Sequence, residues 1–109
     1  MKYVFKIVIK KGHTTSEYIR AWEKGSKIIQ QFPGARGTRL YKKIGEPSTL
    51  LAIADWKSKK YRDAALKGVD NVVKLGLDAN KIVHAHRNYG KFFPIGEFEE
   101  VAKVFKCIL

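Results

Sequence analysis

The chain has 109 residues, with 22 Lys and Arg against 10 Asp and Glu, a formal charge of +12, and 45% hydrophobic residues. That length supports one domain, and the apolar content is enough for a packed core, which argues against disorder. No run of about 18 apolar residues occurs, so no membrane-spanning helix is expected. The opening MKYVFKIVIKKGH has lysines inside its apolar run and no small-residue cleavage pattern, so no signal peptide is expected either. A lone Cys107 has no intrachain disulfide partner, which fits a reducing, cytoplasmic setting.

The charge is spread out. Residues 1–57 carry 12 basic and 4 acidic side chains and residues 58–109 carry 10 and 6, with no run of five like charges. Such a surface attracts anions in general. No nucleic-acid recognition motif accompanies it, so a solvated surface is the favoured reading and nucleic acid a disfavoured partner.

In chain order, YVFKIVIK (3–10) predicts a strand, with Tyr3, Phe5, Ile7 and Ile9 on one face at period 2. After the turn KGHT, Thr14 stands three residues before Glu17, the spacing of a capping box. The helix it opens is expected to reach about Gln31, with an apolar stripe of Tyr18, Trp22, Ile29 and Phe32 and with Gly25 in line. Glycine there costs roughly 1 kcal/mol against Ala, a cost that close approach of another backbone would explain. Pro33-Gly34 ends the helix. A second strand, 37–43, puts Thr38, Leu40 and Lys42 on one face and Arg39, Tyr41 and Lys43 on the other. IGEPST makes the hairpin into a third strand, LLAIADW (50–56), apolar on both faces. A half-exposed antiparallel strand alternates, so this one needs cover on both sides.

Ser58 caps a second helix, KKYRDAALK, with Gly68 as its expected stop and a short helical piece from Asp70. KIVHAHRNY (81–89) reads as the fourth strand, with Ile82, His84, His86 and Asn88 on one face and Val83, Ala85, Arg87 and Tyr89 on the other. GKFFPIG is read as a loop. EFEEVAKVFKCIL (97–109) has the apolar spacing of a helix, and from Val101 a strand is the alternative. The resulting fold class is α+β, a ferredoxin-like βαββαβ with an antiparallel sheet and both helices on one face. One domain, 1–109, is expected, with 90–109 as an extension that packs on a partner. The uncovered sheet face calls for a second copy, so that two sheets pack as a dimeric α/β barrel.

YVFKIVIKKGH, EYIRAWEKG, QQFPGARGTRLYKK and LLAIADWKSKKYRDA together resemble the antibiotic-biosynthesis-monooxygenase-like family of dimeric α/β barrels. In that family a Pro-Gly or similar pair ends the first helix and a Trp after an acidic residue closes the third strand. Here Pro33-Gly34 and Asp55-Trp56 hold those places. The resemblance covers residues 1–89 and rests on spacing rather than on a catalytic signature. It implies the fold and a homodimer through the sheet face. It also implies small-molecule chemistry: some members oxidise electron-rich phenols or quinols with O₂ and no cofactor. Haem-degrading relatives use a Trp and a His on the second helical region, and residues 58–80 contain neither, which disfavours haem.

Among candidate site residues, His84 and His86, at i and i+2 of one strand, project to the same face. They serve there as base and orienting partner, or as ordinary strand histidines. His13 is the only third imidazole, and with no Cys or acidic cluster nearby a metal site is not expected. Tyr18 and Trp22 either belong to the core or wall a planar ligand; Arg39, Tyr41 and Arg87 offer cations and phenols on the sheet. Trp56 reads as structural, and Cys107 as a small buried hydrophobe. The expected function is therefore a cytoplasmic, dimeric small-molecule binder or cofactor-independent monooxygenase acting on an aromatic or polyketide-like substrate. A non-catalytic dimer of assembly or regulatory role is the alternative, and a nucleic-acid module a more distant one, since strand three lacks the basic-Gly-aromatic signature of RNA-recognition domains.

Overall fold

A computed structural model describes the backbone of residues 1–74 and 89–107 and, within these, all side chains except those of 69–74. The elements are β1 (Lys2–Ile9), α1 (Thr15–Ile29), β2 (Ala35–Lys43), β3 (Glu46–Trp56), α2 (Lys59–Lys74) and β4 (Gly90–Phe98). The sheet runs β2-β3-β1-β4 with every neighbouring pair antiparallel. This is the ferredoxin-like order read from the sequence.

Period-2 alternation sorts the two faces. Phe5 stands opposite Ala52, and Ile7 opposite Leu50, and these four close off one face with Ile9. Burial of side chains such as Ile7 and Leu50 contributes roughly 1.5–3 kcal/mol each. α1 lies on that face. Its N-terminus closes as the spacing predicts: the Glu17 N–H donates to Thr14 Oγ1 at 3.2 Å, and the Thr14 N–H donates to Glu17 Oε2 at 3.1 Å. The buried stripe is Tyr18, Ala21 and Gly25 rather than the larger set expected. Small residues at the second and third positions bring the helix close to the sheet, and Trp22 is left half-buried at the border.

Three sequence expectations are corrected. Gly68 does not end α2, which continues to Lys74. A Cβ at Gly68 would run into the Phe32 ring, so glycine serves packing there, not a left-handed cap. The segment GKFFPIG is not a loop; it begins β4, which pairs with β1 from Ile9 opposite Gly90 to Lys2 opposite Phe98. Its Gly and Pro look like loop residues, yet an edge strand tolerates Pro94, and the register shift between Val4 and Phe5 absorbs one extra residue beside Gly96. Residues 99–107 carry no regular element; Val101, Val104 and Phe105 are exposed. A helical stripe with nothing to bury against does not offset its ordering entropy. The strand expected over 81–89 lies, but for Tyr89, outside the described residues.

Arg62 ties α2 to β4. Its guanidinium is buried, pairs with Glu97 and lies 4.7 Å over the Tyr3 ring, and Nε sits 3.0 Å from Asp63. Among the described residues, nothing covers the other sheet face. Val4, Val8, Leu51 and Ile53 are only half-buried there, and Tyr41, Phe93 and Phe98 are exposed. The two-sided apolar character of β3 therefore has one side met by α1 and the other met by no element among the described residues.

Gly90 faces Ile7 and Tyr18 so closely that a Cβ would stand 2.7 Å from Ile7 Cγ2 and 2.9 Å from Tyr18 Cδ2. Gly90→Ala is expected to destabilise the fold by about 1–3 kcal/mol in urea titration, as overpacking does. Thr14→Ala is expected to cost about 1 kcal/mol. The Thr14 N–H, followed by His13, holds the Glu17 carboxyl below its ordinary range. A depressed carboxyl stabilises above its unfolded pKa and loses that contribution as pH falls through the folded value. The acid limb of a stability–pH curve is accordingly expected to flatten in Glu17→Gln.

Candidate functional site

α1 and the outer half of the sheet diverge beside β2, and a cleft of about 480 Å³ opens between them. Ile19, Trp22 and Glu23 form its helix side; Thr38, Arg39, Leu40, Tyr41, Lys42 and Leu50 form its sheet side. It exists because the buried stripe of α1 is centred on Tyr18, Ala21 and Gly25, over β1 and β3. Trp22, next around the helix, then overhangs β2.

Alternation along β2 decides what each residue offers. Leu40 pairs with Ala52 and Lys42 with Leu50, so both share the helix-facing side. Thr38 shares it too, and its hydroxyl donates to the Ile53 carbonyl at 3.3 Å. Arg39 and Tyr41 stand opposite Ile53 and Leu51 on the other face of the sheet and border the cleft at this edge strand. Neither Arg39 nor Lys42 makes an ion pair among the described residues, whereas Lys43 pairs with Glu46 at 3.1 Å and Lys2 with Asp55 at 3.0 Å.

The structure thus brings Trp22, Arg39 and Tyr41 to one cleft. Tyr18, one turn before Trp22, is fully buried in the core, and desolvation raises its phenol well above the ordinary range, so it stays protonated. His84, His86 and Arg87 lie outside the described residues. His13 Nδ1 is 3.1 Å from Glu17 Oε2, within the capping box, and its ring meets Tyr89 edge-on at 5.1 Å. Among the described residues no group of three or more His, Cys, Asp or Glu could hold a metal. Trp56 is buried at the end of β3, and its backbone N–H donates to the Met1 carbonyl at 2.9 Å. Cys107 is a correction: it is exposed in the tail, because the helix that would have buried it does not form.

Sequence reasoning missed Lys42, Leu40 and Ile19 as site residues. The signal for the first two was present in the same alternation that grouped Thr38, Leu40 and Lys42 on one face. Ile19 follows only from the rotation of α1, which the apolar pattern left open by one position.

No protein-family model and no curated protein matches the sequence. Solved structures do. SnoaB, a cofactor-independent oxygenase from Streptomyces nogalater, superposes with a TM-score of 0.67 at 12% identity, covering 94% of this chain and 96% of that one. A candidate antibiotic biosynthesis monooxygenase from Nitrosomonas europaea gives 0.58 at 12% identity, over 91% and 100% of the two chains. Another from Deinococcus radiodurans gives 0.52 at 12%, over 96% and 100%. The chain is therefore an α+β protein with the ferredoxin-like fold of the antibiotic-biosynthesis-monooxygenase-like proteins.

Proposed function

We propose that the chain binds a small aromatic or polyketide-like molecule in the cleft between α1 and β2 and oxidises it with O₂ without a cofactor. The observation that supports this reading is the cleft itself, walled by Trp22 and open beside Arg39, Tyr41 and Lys42, in a fold shared with a cofactor-independent oxygenase. Its volume falls in the range of small-molecule sites, roughly 300–1,000 Å³.

The chemistry asks little of the protein beyond binding and one proton transfer. A methylene or phenolic carbon made electron-rich by deprotonation gives its electrons to O₂. In the methylene case one oxygen atom becomes the carbonyl, the second leaves as water, and the substrate supplies all the electrons. His84 and His86 are assigned the deprotonation, and Arg87 is assigned with Arg39 to holding the anion that results. Trp22 and Tyr41 shape the site; Tyr18 acts from the core by fixing the helix that carries Trp22.

The homodimer belongs to the same proposal. A second copy would cover Val4, Leu51, Ile53, Phe93 and Phe98, and the exposed segment 99–107 would pack on that partner. Burial of such a face is the usual driving force of a symmetric dimer.

Two measurements test the reading. O₂ uptake with hydroquinone-type substrates is expected, and the His84→Ala/His86→Ala double variant is expected to slow it by about 100-fold; uptake that survives the double change removes both roles. In sedimentation velocity the protein is expected to run at twice its chain mass and Ile53→Lys as a monomer. A wild-type monomer at micromolar concentration would overturn the dimer.

A further inference from the structure

We propose that the cleft selects a planar aromatic molecule carrying a negative charge, its ring against Trp22 and its anionic group at Lys42. The proposal rests on the cleft being the small-molecule site and adds the class of ligand it takes.

Three observations converge on it. First, the inner wall is apolar: Ile19, Leu40 and Leu50 line it with the half-buried Trp22. A flat ring fits such a wall better than a flexible polar chain does. Second, hydrogen-bonding capacity at the mouth is dominated by donors. Lys42 stands on the helix-facing side of β2, opposite Leu50, and Arg39, on the other face of the same edge strand, also borders the cleft. An ammonium offers three N–H donors, a guanidinium five, and neither accepts. The Thr38 hydroxyl proton is already given to the Ile53 carbonyl. Third, neither cation has a carboxylate partner among the described residues, whereas a few basic side chains elsewhere do. Lys43, on the same strand, has Glu46, Lys2 has Asp55, and Lys59 has Asp63 at 3.2 Å. Glu23 is the one carboxylate among the lining residues, and it makes no ion pair with either cation.

A ligand that complements this lining presents an acceptor with formal charge at the β2 edge and an aromatic face toward α1. An aromatic carboxylate meets both demands, and so does a phenolate or enolate. A neutral ring meets only the second. The net positive field of the chain adds long-range attraction for the same ligand and no steric cost.

The test compares 2-naphthoate with neutral 2-naphthol by isothermal titration calorimetry at pH 7. Naphthoate is expected to bind about fivefold more tightly at low salt, the scale of an exposed ion pair, and the preference is expected to shrink as salt is raised. Lys42→Gln, a change at an exposed side chain, is expected to remove most of that preference, lowering naphthoate affinity about fivefold and naphthol affinity much less. Equal affinity for the two probes overturns the charge selection and leaves the aromatic cleft standing. A preference that survives Lys42→Gln and disappears in Arg39→Gln overturns the assignment to Lys42. Binding of neither probe overturns the cleft as a small-molecule site, and this proposal with it.

Discussion

The contact of the Tyr18 ring with Ile7 and Gly90 fixes the geometry from which the rest of the structure follows. It joins α1, the central strand β1 and the edge strand β4 at one point, with Tyr18 and Ile7 fully shielded from water. A helix side chain anchored there sets the rotation of α1. Residues four apart lie one above the other on a helix, so the residue that shares a flank with Tyr18 is Trp22. Trp22 then overhangs β2 instead of entering the core, and the cleft opens on that side. The site is thus a consequence of core packing: Ala21 and Gly25 draw the helix down at the sheet centre, and the large indole next to them has to stand at the margin.

Much of the fold was legible in the sequence because its signals are local. Thr14 and Glu17 announce α1 by spacing alone, and Phe5, Ile7 and Ile9 announce the buried face of β1 by alternation. The misreadings share a cause. GKFFPIG contains Gly and Pro, and composition cannot show that β1 has a second edge waiting for a strand, against which Pro94 and a bulge are tolerable. Gly68 looks like a helix stop until Phe32 is seen packed on it. The tail 99–107 has helical spacing, but spacing states what a helix would bury and not whether anything is there to bury it against. At the site, Trp22, Arg39 and Tyr41 were readable as side chains of suitable type. Lys42 was grouped with Leu40 and Thr38 yet not recognised, since its importance depends on which sheet face α1 covers.

The open face of the sheet is the counterpart of this arrangement. β3 presents Leu50 and Ala52 to the helix and Leu51 and Ile53 to the other side, so its backbone is equally committed to two apolar surfaces. Pairing through β1 and β2 keeps it in place whatever covers the second surface. Arg39 and Tyr41 lie at the boundary between the two surfaces, on the uncovered face and at the rim of the cleft. A partner seated on that face would touch the same edge strand that borders the cleft.

The excess of positive charge takes on a position once the carboxylates are followed. Glu17 closes the α1 cap and meets His13; Glu46 holds Lys43 at the hairpin; Asp55 holds Lys2 across β1 and β3. Asp63 and Glu97 take Arg62 and Lys59 where α2 meets β4. These carboxylates sit at junctions between elements, where an ion pair helps to fix one arrangement over another. Their consumption at junctions leaves cations elsewhere without a carboxylate, and two of these, Arg39 and Lys42, border the cleft. A net charge of +12 spread evenly would say little about function. With the acids placed where the fold needs them, the uncompensated part of that charge at β2 lies beside the half-buried Trp22. The positive charge there is a by-product of how the elements are tied together.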